Sequence, residues 1–182
     1  MIKVSTLFFI VILTFSFQCY AQDVKENVDY FLKKNLGDKI SYEFTKYNLR
    51  KPFVDPIEEN VKQKFLNNFV YLYQIRSDNR LVALGLLDNV KGKAMPITFM
   101  VLFDLNGNII SSGIIKYREQ YGGAVSNKEW NIQFKHKNSE SGFAVGKDVS
   151  SISGATISVN SVTKGIHKLT LLINHIIENN EY

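Results

Sequence analysis

The stretch best suited to chemistry in this sequence is Ser153-Gly154-Ala155-Thr156, which precedes the last helical pattern and runs on as Ile157-Ser158-Val159-Asn160-Ser161. Small residues ahead of a helix let the backbone approach a ligand closely. The first N–H groups of a helix lack intrahelical acceptors, and its dipole adds partial positive charge there, so a phosphate is favoured at such a place. Thr156 would then hold a hydroxyl beside a phosphate. The same residues also read as a plain helix start, with Ser and Thr capping it and Gly making the turn. The residue types alone leave both readings open.

Other chemistries find no support. His136, His167 and His175 have no partner at metal-ligand spacing, and the last two fall outside the apolar stripe of the final helix, so all three are expected to be solvated and no metal site is expected. There is no Walker loop, no dinucleotide fingerprint after a strand and no serine elbow. No catalytic acid or base pair stands out beyond Glu119. The single cysteine, Cys19, lies in the leader, so the remainder has no disulfide, no thiol nucleophile and no thiolate metal site.

The elements that would position the Thr156 segment follow from periodicity. Asp23 and Glu26 read as a capping box, Val24, Val28, Phe31, Leu32 and Leu36 recur at helical spacing, and Gly37 supplies a left-handed stop, predicting a helix over 24–36. From Ile40 the period becomes two, predicting a strand to about Asn48. Asp55-Pro56-Ile57-Glu58 repeats a helix start, with Pro at the first helical position, for a second helix to about Asn67.

Four apolar or alternating runs come next: Phe69 to Arg76, Leu81 to Leu87, Ile97 to Asp104 and Ile109 to Tyr117. Short turn-rich links separate them, and Asn106-Gly107 is the strongest hairpin signal among them. Links this short hold no crossover helix, so an antiparallel meander is expected. A short helix around Ser126 to Phe134, a polar loop and a final helix from about Ile157 to Glu178 complete the chain. The last is apolar at Val162, Ile166, Leu169, Ile173, Ile176 and Ile177. The expected fold is α+β: an antiparallel meander packed against a long C-terminal helix, with N-terminal helices.

Of the 182 residues 45% are apolar and 21% charged, which fits a folded core and excludes collagen, mucin-like and coiled-coil rod classes. The formal charge of +5 has no run of five basic residues behind it, so no nucleic-acid partner is expected. Residues 1–22 carry one Lys, an apolar stretch from Leu7 to Phe17, and Cys19-Tyr20-Ala21 before Gln22, the layout of a cleaved signal peptide. The apolar part is too short to span a bilayer as a helix. One exported domain, 22–182, is therefore expected outside the cytoplasm, in the periplasm or its equivalent.

Val149 to Asn160, VSSISGATISVN, resembles the flavin-attachment segment of the FMN-binding domain family, whose members include flavin-carrying components of the sodium-translocating NADH:quinone oxidoreductase and of the Rnf electron-transport complex. Ile109 to Ala124 resembles the family's strand that ends in a Glu-Thr-Pro-Gly loop near the flavin. Glu119 and Gly122 match that loop, while Gln120 and Tyr121 replace its Thr and Pro. Ser150 stands where the family usually carries Asp, six positions before the modified Thr, and Asp148 lies two residues earlier. The likeness covers about 97–177.

The resemblance implies covalent FMN on Thr156, attached as a phosphoester by a separate flavin transferase that uses FAD and magnesium. Ser153, Gly154 and Ala155 would orient the phosphate. Glu119, Tyr121, Gly122 and Gly123 would border the isoalloxazine. The protein would then be an extracytoplasmic electron carrier, with redox donor and acceptor proteins or a membrane electron-transport complex as partners. The alternatives are a cofactor-free exported binding module and a flavin-dependent reductase with its own small substrate.

Overall fold

Turn chemistry sets the sheet in the computed structural model, which describes residues 23–182; the expected leader, 1–21, and its cleavage point lie outside them. Asp78 and Asn79 both take left-handed φ, 49° and 62°, and so close a two-residue turn matched to strand twist between β2 (Phe69–Ser77) and β3 (Arg80–Lys91). Between β4 (Pro96–Phe103) and β5 (Ile109–Lys116), Gly107 takes φ +81°. There the Asp104 carboxylate accepts the N–H groups of Asn106 and Asn108 at 2.9 and 2.8 Å. With β1 (Ile40–Asn48) paired to β2, the sheet is the expected antiparallel meander, in the order β1-β2-β3-β4-β5.

Helices cover both faces. Helix α1 (23–36) lays Val28 and Leu32 on a cluster with Tyr73, Ile75, Ala83, Met100 and Leu102. The bare Cα of Gly113 makes room for the Phe31 ring, since a β-carbon there would sit 2.6 Å from Phe31 Cε2. Asp23 is already helical, and its carboxylate takes Asn27 Nδ2 at 3.0 Å and the Lys116 ammonium instead of acting as a cap. Gly37 ends α1 as expected, at φ +91° with its N–H on Lys33 O.

The opposite face carries the larger core. Helix α4 (Thr156–Glu178) buries Val159, Val162, Ile166, Leu169, Leu172, Ile173 and Ile176 against Leu84, Leu86, Val90, Phe99 and Val101. Each such side chain is worth roughly 1.5–3 kcal/mol of hydrophobic burial. Gly165 lets the helix approach, because a β-carbon there would lie 2.6 Å from Val90 Cγ1 and 2.7 Å from Phe99 Cζ.

Two elements differ from the sequence expectation. Helix α2 is Lys51–Val61, not a helix from Pro56 to Asn67. Pro52 occupies the first turn, and Pro56 is carried inside the helix at the loss of one backbone hydrogen bond, while Val54, Ile57 and Val61 are buried. Lys62 at φ 55° then terminates it. Strand β3 continues four residues past Leu87, pairing Asp88 with Phe99 and Asn89 with Thr98.

That extension places Asp88 under α4. The Lys168 ammonium lies 3.5 Å from Asp88 Oδ2, donates to Lys64 O at 3.1 Å and sits 3.9 Å over the Phe65 ring; both charged side chains are almost wholly buried. Burial pushes the Asp88 carboxyl up and the Lys168 ammonium down, each against the opposing pull of its partner. Lys164 Nζ and Gln63 Nε2 add bonds to Lys62 O and Ser161 O, so the segment after α2 is fastened along α4.

Candidate functional site at the start of α4

Helix α4 begins at Thr156 and its cap position falls to Ala155, whose side chain has no acceptor. No side-chain cap bond is made, so neither Ser153 nor Thr156 supplies one. The N–H of Val159 takes up Ala155 O at 2.9 Å as the first intrahelical bond. Thr156, Ser153 and Gly154 are exposed and Ala155 is buried. The helix start is therefore polar, open and unsatisfied by the chain, which is the condition for holding an anion there.

The segment leading to it is fixed from below. Ile152 to Ala155 form a tight turn closed by Ala155 N–H on Ile152 O at 3.1 Å, with Gly154 at φ +76°. Short helix α3 (Lys128–Asn131) anchors the residues before it. Trp130 Nε1 donates to Ser150 O at 2.8 Å, and Ser150 N–H donates to Gln133 Oε1 at 2.7 Å. Val149 is buried in the main core. Asp148 turns toward the loop before it, where its carboxylate accepts Ala144 N–H at 2.9 Å.

The loop after β5 meets this helix start. Tyr117 Oη and Ser158 Oγ are 2.9 Å apart, and Tyr117 also donates to Tyr121 O. Gly122, at φ +85°, faces the same pair: a β-carbon there would lie 2.7 Å from both Ser158 Oγ and Tyr117 Oη. Gly122 is thus required both by its backbone angle and by close approach. Gly123 opens a 3-10 turn, Gly123–Ser126, against the Tyr117 ring. Tyr121 projects outward with 73% of its surface exposed.

Glu119 is differently engaged. Its Oε1 accepts the N–H groups of Ala94 and Met95 at 2.7 and 3.1 Å, and these donors hold the carboxyl below the usual carboxylate range. The structure thus gathers Ser153, Gly154, Ala155 and Thr156 with Tyr121, Gly122 and Gly123 around one helix end, and turns Glu119 to the β3–β4 turn. Residues that the sequence reading missed are Tyr117 and Ser158, which join the two segments, and Trp130 and Gln133, which support them. Ser158 stood in the motif's continuation, but nothing in the sequence linked it to a tyrosine 41 positions away.

The histidines lie elsewhere, and two are not solvated as expected. His167 stacks on Phe143 with ring centres 4.5 Å apart, and His175 on Phe53 at 4.2 Å. Aromatic faces just outside the apolar stripe give them half-buried sites. Among the described residues, no group of three or more His, Cys, Asp and Glu side chains could hold a metal ion.

Comparison with known families matches residues 92–170 to the model of an FMN-binding domain. The match opens at Gly92 in the β3–β4 turn and closes at Thr170 in α4, so it contains every residue of the site just described. No curated protein matches the chain.

Proposed function

We propose, from the premise that residues 92–170 form an FMN-binding domain, that this protein carries FMN covalently on Thr156 and passes electrons through it outside the cytoplasm. The observation that carries the reading is the uncapped start of α4 with an exposed Thr156 hydroxyl at its first residue. The donor set fits a phosphate: free helix N–H groups, a helix dipole and small residues that do not block approach.

In this reading the Thr156 oxygen attacks the phosphorus of the FMN half of FAD on a separate flavin transferase; AMP leaves and the hydroxyl proton is released. Ser153 and the backbone at Gly154 and Ala155 orient the phosphate, and Gly122, Gly123 and Tyr121 border the ring. Flavin chemistry supplies the electron transfer itself, while the chain sets orientation and environment. A covalent link suits an exported carrier, since a freely dissociating cofactor would be diluted away. The partners are redox proteins or a membrane electron-transport complex; among the described residues, no helix is long and apolar enough to cross a membrane.

The test is co-expression with a flavin transferase in an exporting host, followed by intact mass and fluorescence on a denaturing gel. The expected result is a mass gain of one FMN less water and fluorescence that survives denaturation, both absent in Thr156→Ala. A colourless wild-type protein that also binds no FMN under native conditions would overturn the reading and favour a cofactor-free module.

A further inference from the structure

Two stretches 24 and 25 residues apart meet at Glu119. While its Oε1 takes the N–H groups of Ala94 and Met95, the preceding residue, Arg118, donates to Pro96 O at 3.1 Å and Thr98 Oγ1 at 2.9 Å. Gly92 closes the turn by donating to Met95 O at 3.1 Å. A β-carbon on Gly92 would come within 2.3 Å of Glu119 Oε1 and 2.5 Å of Met95 O, so the carboxylate packs on a bare Cα. The N–H donors of Ala94 and Met95 favour the charged form of Glu119, a carboxylate that is ionised at neutral pH in any case.

The segments that converge here each present one exposed apolar side chain. Met95 on the turn is 46% exposed, Tyr121 on the loop after β5 is 73% exposed, and Ile157 in the first turn of α4 is 50% exposed. Single exposed apolar residues are ordinary on a protein surface. These three sit on segments linked in series: Glu119 ties the turn to the loop after β5, and the Tyr117–Ser158 contact ties that loop to the first turn of α4. A flat aromatic ring reached through a flexible chain from a phosphate at Thr156 has apolar faces for them to cover.

We propose that Glu119 is a positioning residue that holds the β3–β4 turn in place, so that Met95, with Tyr121 and Ile157, seats the isoalloxazine ring of a flavin attached at Thr156. This rests on the flavin reading above. Glu119 acts through the turn, and Met95 is the side chain that it sets against the ring.

The test uses the full chain loaded by a flavin transferase, with iodide quenching of flavin fluorescence as the measure of ring exposure and the midpoint potential as a second readout. Amide hydrogen exchange of the chain without flavin reports the clip independently. Met95→Ala should raise the quenching constant several-fold and shift the potential. Glu119→Ala should do the same and also speed exchange at Ala94 and Met95. Glu119→Gln, which keeps an amide oxygen as acceptor, should restore most of the wild-type behaviour, and Gly92→Ala should copy Glu119→Ala by crowding the carboxylate. The double variant Glu119→Ala/Met95→Ala should be no worse than either single change.

Unchanged quenching and potential in Met95→Ala would overturn the ring seat. Faster exchange in Glu119→Ala with wild-type ring exposure would overturn the positioning role. A wild-type chain that takes no FMN would overturn the flavin reading and the ring seat with it, and the exchange data would separately show whether Glu119 clips the turn.

Discussion

Helix α4 treats polar groups in opposite ways at two points along its length. In its first turn the Thr156 hydroxyl and the leading N–H groups face outward with no protein partner. About three turns on, Lys168 is sealed from solvent and finds every partner inside the chain: Asp88, Lys64 O and the Phe65 ring. A buried polar group left unpaired costs free energy comparable to a whole interaction, whereas an exposed one is satisfied by water until a ligand replaces it. Shifted proton affinities would draw attention to Lys168 and Asp88 as a functional pair. Their burial instead marks them as a fastening between α4, β3 and the segment after α2, while the end of α4 with open donors is the part free to bind.

The largest effect should come from breaking the sealed region. Lys168→Met leaves the Asp88 carboxyl buried without its cation and should cost about 3–5 kcal/mol in urea unfolding. The double change with Asp88→Asn should recover much of this, because the uncompensated charge is gone. Thr156→Ala, at the exposed end, should move stability by less than about 0.5 kcal/mol. A Lys168→Met variant as stable as Thr156→Ala would erase the contrast between the two regions.

A middle-sized effect belongs to the contact that joins the open end to the loop after β5. Ser158→Ala removes the hydroxyl that meets Tyr117, at a cost of about 0.5–1.5 kcal/mol. Since Gly122 packs on the same pair, amide exchange over 121–123 should quicken more than exchange in β3 or β4. Equal change in both places would mean that Ser158 supports the core and does not hold the loop.

How much of this was legible beforehand depends on the range of the interaction. Local signals worked: Asn106-Gly107 marked a hairpin turn through the φ freedom of its glycine, and Gly37 marked the end of α1. Gly154 likewise marked the turn that leads into α4, where it takes φ +76°. Pro56 misled, because a proline reads as a first-turn residue and Pro52 already held that place; packing of Val54, Ile57 and Val61 outweighed the lost hydrogen bond. The end of β3 was hidden because Asp88 and Asn89 are poor strand formers, and only pairing with Phe99 and Thr98 keeps them there. The Glu119 clip and the Tyr117–Ser158 bond join residues far apart in the chain, and periodicity carries no information about such pairs.

The smallest effect sharpens the comparison at its boundary, since His167 adjoins Lys168 in sequence yet is only half-buried, stacked on Phe143. Burial lowers its proton affinity, so the unfolded chain takes up a proton first as pH falls through the ordinary histidine range. The stability that His167 contributes is therefore complete above that range and is lost as pH falls through its depressed folded value. Wild-type Tm should drop on acidification through this window by slightly more than that of His167→Gln, the difference isolating the histidine from carboxylates that titrate in both proteins. Identical slopes would mean that the imidazole is as well hydrated when folded as when unfolded, and would move the edge of the sealed region inward to Lys168 itself.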